Sequence, residues 1–267
     1  MSPTCALALA YDGTDFAGWQ FQPGLRTVQG ELESILERFY GRRVPVSGSG
    51  RTDAGVHALG QVASFTTERA YPAATLFRAF GALLPADIRL LRCAEAEPGF
   101  DPRRDALERT YEYFFLPGGS LFHSRYALEV EEELDWECMA AVARLFEGRR
   151  DFAAVGSPVS PGGGTVREVH RCRLEEGRGC HRLVVTADAF LHRMVRAVVG
   201  CLVIVGRGKM TADDTVRLLE SADRSQAPAA APARGLFLAR VDYAGFSYDS
   251  DPGPFSRHFD DRRGSSG

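Results

Sequence analysis

Alternating apolar runs and helical stripes follow one another along this chain in a repeating order. Cys5–Gly13 (CALALAYDG) reads as a strand ending in a turn. Thr27 is placed to cap a helix whose Val28, Leu32, Ile35, Leu36 and Phe39 share one face. Val44–Ser47 and Gln61–Thr66 are predicted strands on either side of a glycine-rich stretch. A second stripe, Leu76, Phe77, Phe80, Leu83 and Leu84, is opened by Pro72 and closed by Pro85. Ile88–Glu95 is the next strand, so residues 1–95 read β-α-β-loop-β-α-β.

A similar order follows. Arg109–Leu116 (RTYEYFFL) alternates as a strand, and Asp135 caps a helix with Met139, Val142, Ala143 and Phe146 inward. Val166–Glu175 and Arg182–Ala187 are predicted strands, Ala189–Val205 and Thr211–Ser221 predicted helices, and Leu236–Tyr243 a closing strand. Thr211 and Asp214 carry the spacing of a capping box. The pattern predicts an α+β fold of two similar α/β halves, residues 1–105 and 106–246. Their mainly antiparallel sheets are expected to join around a central basic cleft. Loops concentrate at Pro117–Tyr126 and Gly156–Thr165. Residues 247–267 are polar, contain Pro and Gly and lack periodicity, so disorder is expected there.

Composition narrows the class. Apolar residues are 45% and charged residues 25% of 267, as in ordinary globular proteins. No apolar run is long enough to span a membrane. The first residues, MSPTCALALAYDG, lack a basic leader and read as a strand rather than a signal peptide. The 6 cysteines include no CxxC pair, and no HExxH occurs. They are expected to be small core residues in a reducing cytoplasm, not a zinc site or a disulfide framework. A net charge of −3 excludes a globally basic nucleic-acid binder but not a local basic cleft. Lys209 is the one lysine among 32 basic residues; the rest are arginines, whose fork suits phosphate.

The glycine-rich stretch Val44–Val62 (VPVSGSGRTDAGVHALGQV) carries the densest chemistry. It lacks the GxxxxGK[ST] of a P-loop. As a dinucleotide fingerprint it has Asp53 in place of the third glycine, and a strand follows where a helix belongs. A hairpin connection rich in turn glycines is the plain structural reading. The predicted loop, about a dozen residues, is longer than a hairpin needs, and loops of that length usually carry function or lack order. Arg51 and Asp53 stand at its centre, and a carboxylate among small residues suits a nucleophile or general base.

Gly50–Phe65 (GRTDAGVHALGQVASF) strongly resembles the catalytic motif of tRNA pseudouridine synthases of the A type. Tyr11–Pro23 (YDGTDFAGWQFQP), Thr27–Glu33 (TVQGELE), Phe100–Phe115 (FDPRRDALERTYEYFF), Ala187–Gly206 (ADAFLHRMVRAVVGCLVIVG) and Gly235–Tyr243 (GLFLARVDY) resemble further segments of that family, in order. The resemblance runs from residue 5 to residue 243, about nine-tenths of the chain. It implies isomerisation of uridine to pseudouridine at positions 38, 39 and 40 of the tRNA anticodon arm. The ribose C1′ bond to uracil N1 is broken and remade to C5. Neither a small-molecule cofactor nor a metal is required. It also implies a cytoplasmic homodimer with tRNA as its partner.

The family's catalytic aspartate maps onto Asp53, as nucleophile or base. Tyr111 maps onto its active-site tyrosine, a stacking face for a flipped uracil. Arg196 is implied as the ion-pair partner of Asp53, and Leu236 as an apolar wall against the uracil. Each has a plainer reading: Tyr111 and Leu236 as core residues, Arg196 as a structural ion pair. Arg51, Arg103, Arg104, Arg149 and Arg150 are candidate phosphate contacts, Arg51 foremost because of its loop. The family's His-Ala-Arg reads Asp101-Pro102-Arg103 here, so only Arg103 keeps its place. His57 fits a proton shuttle, an RNA contact or loop structure. The alternatives to this function are a pseudouridine synthase acting on another RNA and a non-catalytic RNA-binding module.

Overall fold

A computed structural model describes residues 2–160, 162–251 and 253–255. Its main elements are β1 (Thr4–Tyr11), α1 (Val28–Tyr40), β2 (Ser47–Gly48), β3 (His57–Thr66), α2 (Ala73–Leu83), β4 (Ile88–Ala96), β5 (Glu108–Pro117) and β6 (Leu128–Val130). There follow α3 (Trp136–Ala143), β7 (Gly148–Asp151), β8 (Val166–Glu176), β9 (His181–Ala187), α4 (Met194–Gly206), α5 (Ala212–Ser221) and β10 (Leu236–Asp242). The protein is thus mixed α/β with mainly antiparallel pairing. Its described residues form two compact units, 2–107 with 237–251, and 108–236 with 253–255. Among the described residues no helix is long and apolar enough to cross a membrane.

In the first unit the strand order is β4-β1-β3-β10, with β2 also on β3. β1 is antiparallel to both neighbours, Cys5 facing Phe65 on one side and Glu95 on the other. Every residue of β1 is buried, as expected of a strand covered on both faces. α1 begins where the Thr27 side chain accepts from Gly30 N, and ends at Gly41 in the left-handed region (φ 68°). β10 runs parallel to β3, Phe237 opposite His57. By chain position this strand was expected with the second half; from Phe237 on it belongs to this unit.

The predicted strand Val44–Ser47 shrinks to Ser47–Gly48, because α1 side chains take the backbone groups that a ladder would use. Gln29 Nε2 donates to Val46 O (3.0 Å), and Val46 N donates to the buried Glu33 carboxylate (3.1 Å). β3 begins at His57 rather than Gln61, so the irregular stretch before it is only residues 49–56.

The second unit has the strand order β5-β9-β8-β7, with β6 on β5. β6 and β7 escaped the sequence reading. β7 is the exposed, polar GRRD, with no apolar alternation to mark it. α4 buries ten of its thirteen residues and carries no acidic residue in its first turn. It starts at Met194, not Ala189. The Asp188 carboxylate accepts from Glu168 N and Ala189 N, and Ser157 and His192 exchange backbone bonds of 3.3 and 2.8 Å. These bonds hold residues 188–192 outside the helix.

The expected disorder of residues 247–267 fails where the segment is described. Tyr248 is buried, donates to Gly60 O (2.6 Å) and accepts from Val241 N (2.9 Å). Phe255 is buried and stacks on Phe114 at 4.7 Å. Two aromatic anchors outweigh their polar surroundings. The rest of the expected tail, residues 252 and 256–267, lies outside the described residues.

Candidate active site

The Asp53 loop is built as a turn on pinned flanks. Val56 N donates to Asp53 O (3.1 Å), and Gly55 has φ +76°, a value that favours glycine at the third position of such a turn. This places the half-buried Asp53 first in the turn and the exposed Arg51 two residues before it. The neighbours Ser49, Thr52 and Val56 are buried.

Long-range bonds fix the flanks. Trp19 N donates to Thr52 O (3.0 Å), Gly55 N to Phe16 O (3.3 Å) and Ser49 N to Val62 O (2.8 Å). Gln61, fully buried on β3, accepts from Ser49 Oγ (2.6 Å) and donates to Gly50 O (2.8 Å) and Tyr11 OH (3.4 Å). Tyr11 OH lies 2.9 Å from Thr52 Oγ1. Burial pushes the Tyr11 phenol up to about 12, so it keeps its proton, and its oxygen accepts from Gln61. A Cβ on Gly48 would lie 2.5 Å from the Trp19 ring, which explains a glycine at the loop's entrance. The loop is therefore rigid rather than the flexible tip that its composition suggests.

His57 follows this loop and is fully buried, stacked on Phe237 at 4.6 Å. Its Nδ1 accepts from Gly13 N (3.0 Å), which assigns the ring proton to Nε2. Asp12 Oδ1 also lies 3.2 Å from Nδ1. With that lone pair engaged by Gly13, we read this approach as no hydrogen bond. Of the three sequence readings, loop structure fits this burial best.

In the second unit, strand alternation puts Tyr111, Tyr113 and Phe115 on one face of β5. Tyr111 is buried and meets Phe190 edge-on, ring centres 4.9 Å apart. Arg196 is half-buried on α4; its Nε donates to Ala231 O (2.7 Å), and Ala231 N donates to Arg196 O (2.9 Å). Tyr113 OH donates to the next carbonyl, Pro232 O (3.0 Å). Burial raises the Tyr113 phenol, and the nearby Arg196 and Arg234 charges oppose the rise. A Cβ on Gly235 would lie 2.8 Å from the Tyr113 ring, and Leu236 next to it is buried. Tyr113 thus lies beside Gly235, near the Arg196 charge and on the Tyr111 face of β5, within this unit, while Asp53 and Arg51 belong to the first.

The remaining arginine candidates are scattered. Arg103, Arg104 and Arg149 are exposed, with Arg104 3.5 Å from Asp101; Arg150 donates to Glu147 O (2.9 Å). Sequence reasoning missed the groups that position the site: Tyr11, Trp19, Thr52, Gln61, Tyr113 and Phe190. Two signals were readable, a glutamine inside an apolar run at Gln61 and a tyrosine two residues after Tyr111.

Residues 7–101 and 142–244 match the family model described as tRNA pseudouridine synthase, which covers Asp53 and Arg196. The chain belongs to the tRNA pseudouridine synthase family. It is 41% identical over 246 residues to a tRNA pseudouridine synthase A of Maridesulfovibrio salexigens, covering 89% of each chain. It is 44% identical over 246 residues to that of Solibacter usitatus, covering 88% of this chain and 97% of the relative. It is 40% identical over 242 residues to that of Pelobacter propionicus, covering 90% and 99%.

Proposed function

We propose that this protein isomerises uridine to pseudouridine in tRNA, at positions 38, 39 and 40 of the anticodon arm. The observation that carries this reading is identity of about 40% to tRNA pseudouridine synthase A chains along nearly their whole length. Asp53 is the catalytic nucleophile or base. The pinned turn supports that role, since a reacting carboxylate must be held in one place. Tyr111 offers a stacking face to the flipped uracil, Leu236 an apolar wall, and Arg51 a phosphate contact. Arg196 pairs with Asp53 across a basic cleft between two similar halves. The working assembly is a cytoplasmic homodimer.

The test uses an unmodified tRNA carrying uridine at 38, 39 and 40. The wild-type protein converts these uridines and no others. Asp53→Asn binds the tRNA but loses about 10³-fold or more in turnover. Arg196→Ala lowers kcat while tRNA affinity is kept. Turnover of the Asp53→Asn protein above about a tenth of wild type would remove Asp53 from the catalytic role. Conversion at other uridines would reject the proposed target.

A further inference from the structure

Cys5 lies on β1 and Cys93 on the edge strand β4. Cys5 is directly opposite Glu95, and Cys93 opposite Leu7, so the two sulfurs meet on a diagonal of the antiparallel pair. Their Sγ atoms are 3.3 Å apart. The two are unequally exposed. Cys5 is buried at 8% exposure, whereas Cys93 is half-buried and lines a groove of about 610 Å³ with Leu91, Phe77 and Arg78. A small oxidant therefore reaches Cys93 from the groove, with Cys5 behind it.

The thiol chemistry runs the same way. The hydrogen bond from Cys5 lowers the Cys93 thiol below the usual cysteine value, although burial opposes it. The same bond, with burial second, raises Cys5. Burial pushes Cys180 up to about 11 and Cys201 up to about 12, and raises Cys172 also. A thiolate is the nucleophile, so the groove-facing member of the pair is the one disposed to react. An accessible thiolate beside a second cysteine is the arrangement of an oxidisable, resolvable thiol.

We propose that Cys5 and Cys93 form a reversible oxidation site for hydroperoxides. The Cys93 thiolate attacks the peroxide O–O bond and becomes a sulfenic acid, releasing hydroxide or alkoxide. Cys5 then attacks the Cys93 sulfur as its thiol proton passes to the departing hydroxide, so a disulfide forms and water leaves. Two thiols are oxidised by two electrons, and the hydroperoxide is reduced to water and the matching hydroxyl compound. Closure takes the sulfurs from 3.3 Å to about 2.05 Å. A dithiol reductant reverses it. Disulfides of this kind in a reducing compartment are usually transient.

The experiment treats the fully reduced, full-length chain with hydrogen peroxide, blocks remaining thiols by alkylation and maps the peptides. The expected result is loss of two of the 6 thiols, a peptide linked through Cys5 and Cys93, and full recovery with a dithiol. Cys5→Ser leaves a sulfenic acid on Cys93 that dimedone traps; Cys5→Ala gives the same result if the serine variant does not fold. Absence of the Cys5–Cys93 link in the wild-type chain would overturn the proposal. So would oxidation of the half-buried Cys138 as fast as Cys93, or a Cys5 variant in which Cys93 is not trapped.

Discussion

Two irregular segments of this protein look alike in composition and differ in how they are held. Residues 49–56 and 118–127 both contain glycines in the left-handed region, Gly55 in the first and Gly118 and Gly119 in the second. The first is tied to partners far away in sequence: Phe16, Trp19 and Tyr11 on one side, Gln61 and Val62 on the other. The backbone bonds of the second are mostly local, such as His123 N to Ser120 O and Tyr126 N to His123 O. It leaves Leu121 at 86% and Phe122 at 83% exposure. Glycine content therefore says where the backbone can turn, not whether it is free to move. Rigidity comes from the long-range groups that satisfy the turn.

The largest effect that sharpens this contrast is expected from Gln61→Leu. The change keeps bulk but leaves Gly50 O and Ser49 Oγ without the partner that Gln61 provides. A buried polar group left unsatisfied costs about 1–3 kcal/mol, so chemical denaturation should report a loss of about 2 kcal/mol or more. If Asp53 reacts from this loop, a shift of about 1 Å should lower kcat by roughly 100-fold with tRNA affinity kept. Unchanged stability and unchanged kcat would mean that the loop is held without Gln61, and the contrast between the two segments would fail.

The same contrast explains what the sequence could and could not reveal. Elements with a strong period were legible: α1 from its Val28–Leu32–Ile35–Leu36 stripe and the Thr27 cap, β5 from its alternation, α5 from its capping box. The candidates Asp53, Tyr111 and Arg196 were picked out by their motifs, and their roles remain proposals. What failed depended on contacts between residues distant in sequence. Val44–Ser47 has the composition of a strand, but Gln29 and Glu33 take its backbone groups. Leu236–Tyr243 was predicted as a strand, but its neighbour β3 is about 180 residues earlier, and no local pattern names it. Tyr248 and Phe255 are single anchors in a polar segment, too few to make a period. The pins of the Asp53 loop are polar groups on β1, on β3 and on the segment between β1 and α1, and only the fold brings them together.

Tyr111 supplies a middle case, since strand β5 delivers it rather than either loop. If its ring stacks on the target base, Tyr111→Phe keeps most of the activity. Tyr111→Ala then loses roughly 10- to 100-fold in kcat/KM, in line with about 1–3 kcal/mol of stacking per base. The edge-on contact with Phe190 adds a control: Phe190→Leu should lower activity less than Tyr111→Ala, because the stacking ring itself remains. Equal losses for Tyr111→Phe and Tyr111→Ala would assign the role to the hydroxyl instead.

The smallest effect is expected in the second segment. Phe122→Ser removes a large apolar side chain that is already 83% exposed, so little burial is lost on substitution. The surrounding backbone bonds of residues 120–126 do not involve that side chain and should persist. Surface substitutions of this kind usually change stability by no more than about 0.5 kcal/mol. Chemical denaturation of the Phe122→Ser protein should therefore superimpose on that of wild type, in contrast to Gln61→Leu. A loss above about 1 kcal/mol would show that Phe122 is covered in solution, and that the second segment is anchored as firmly as the first.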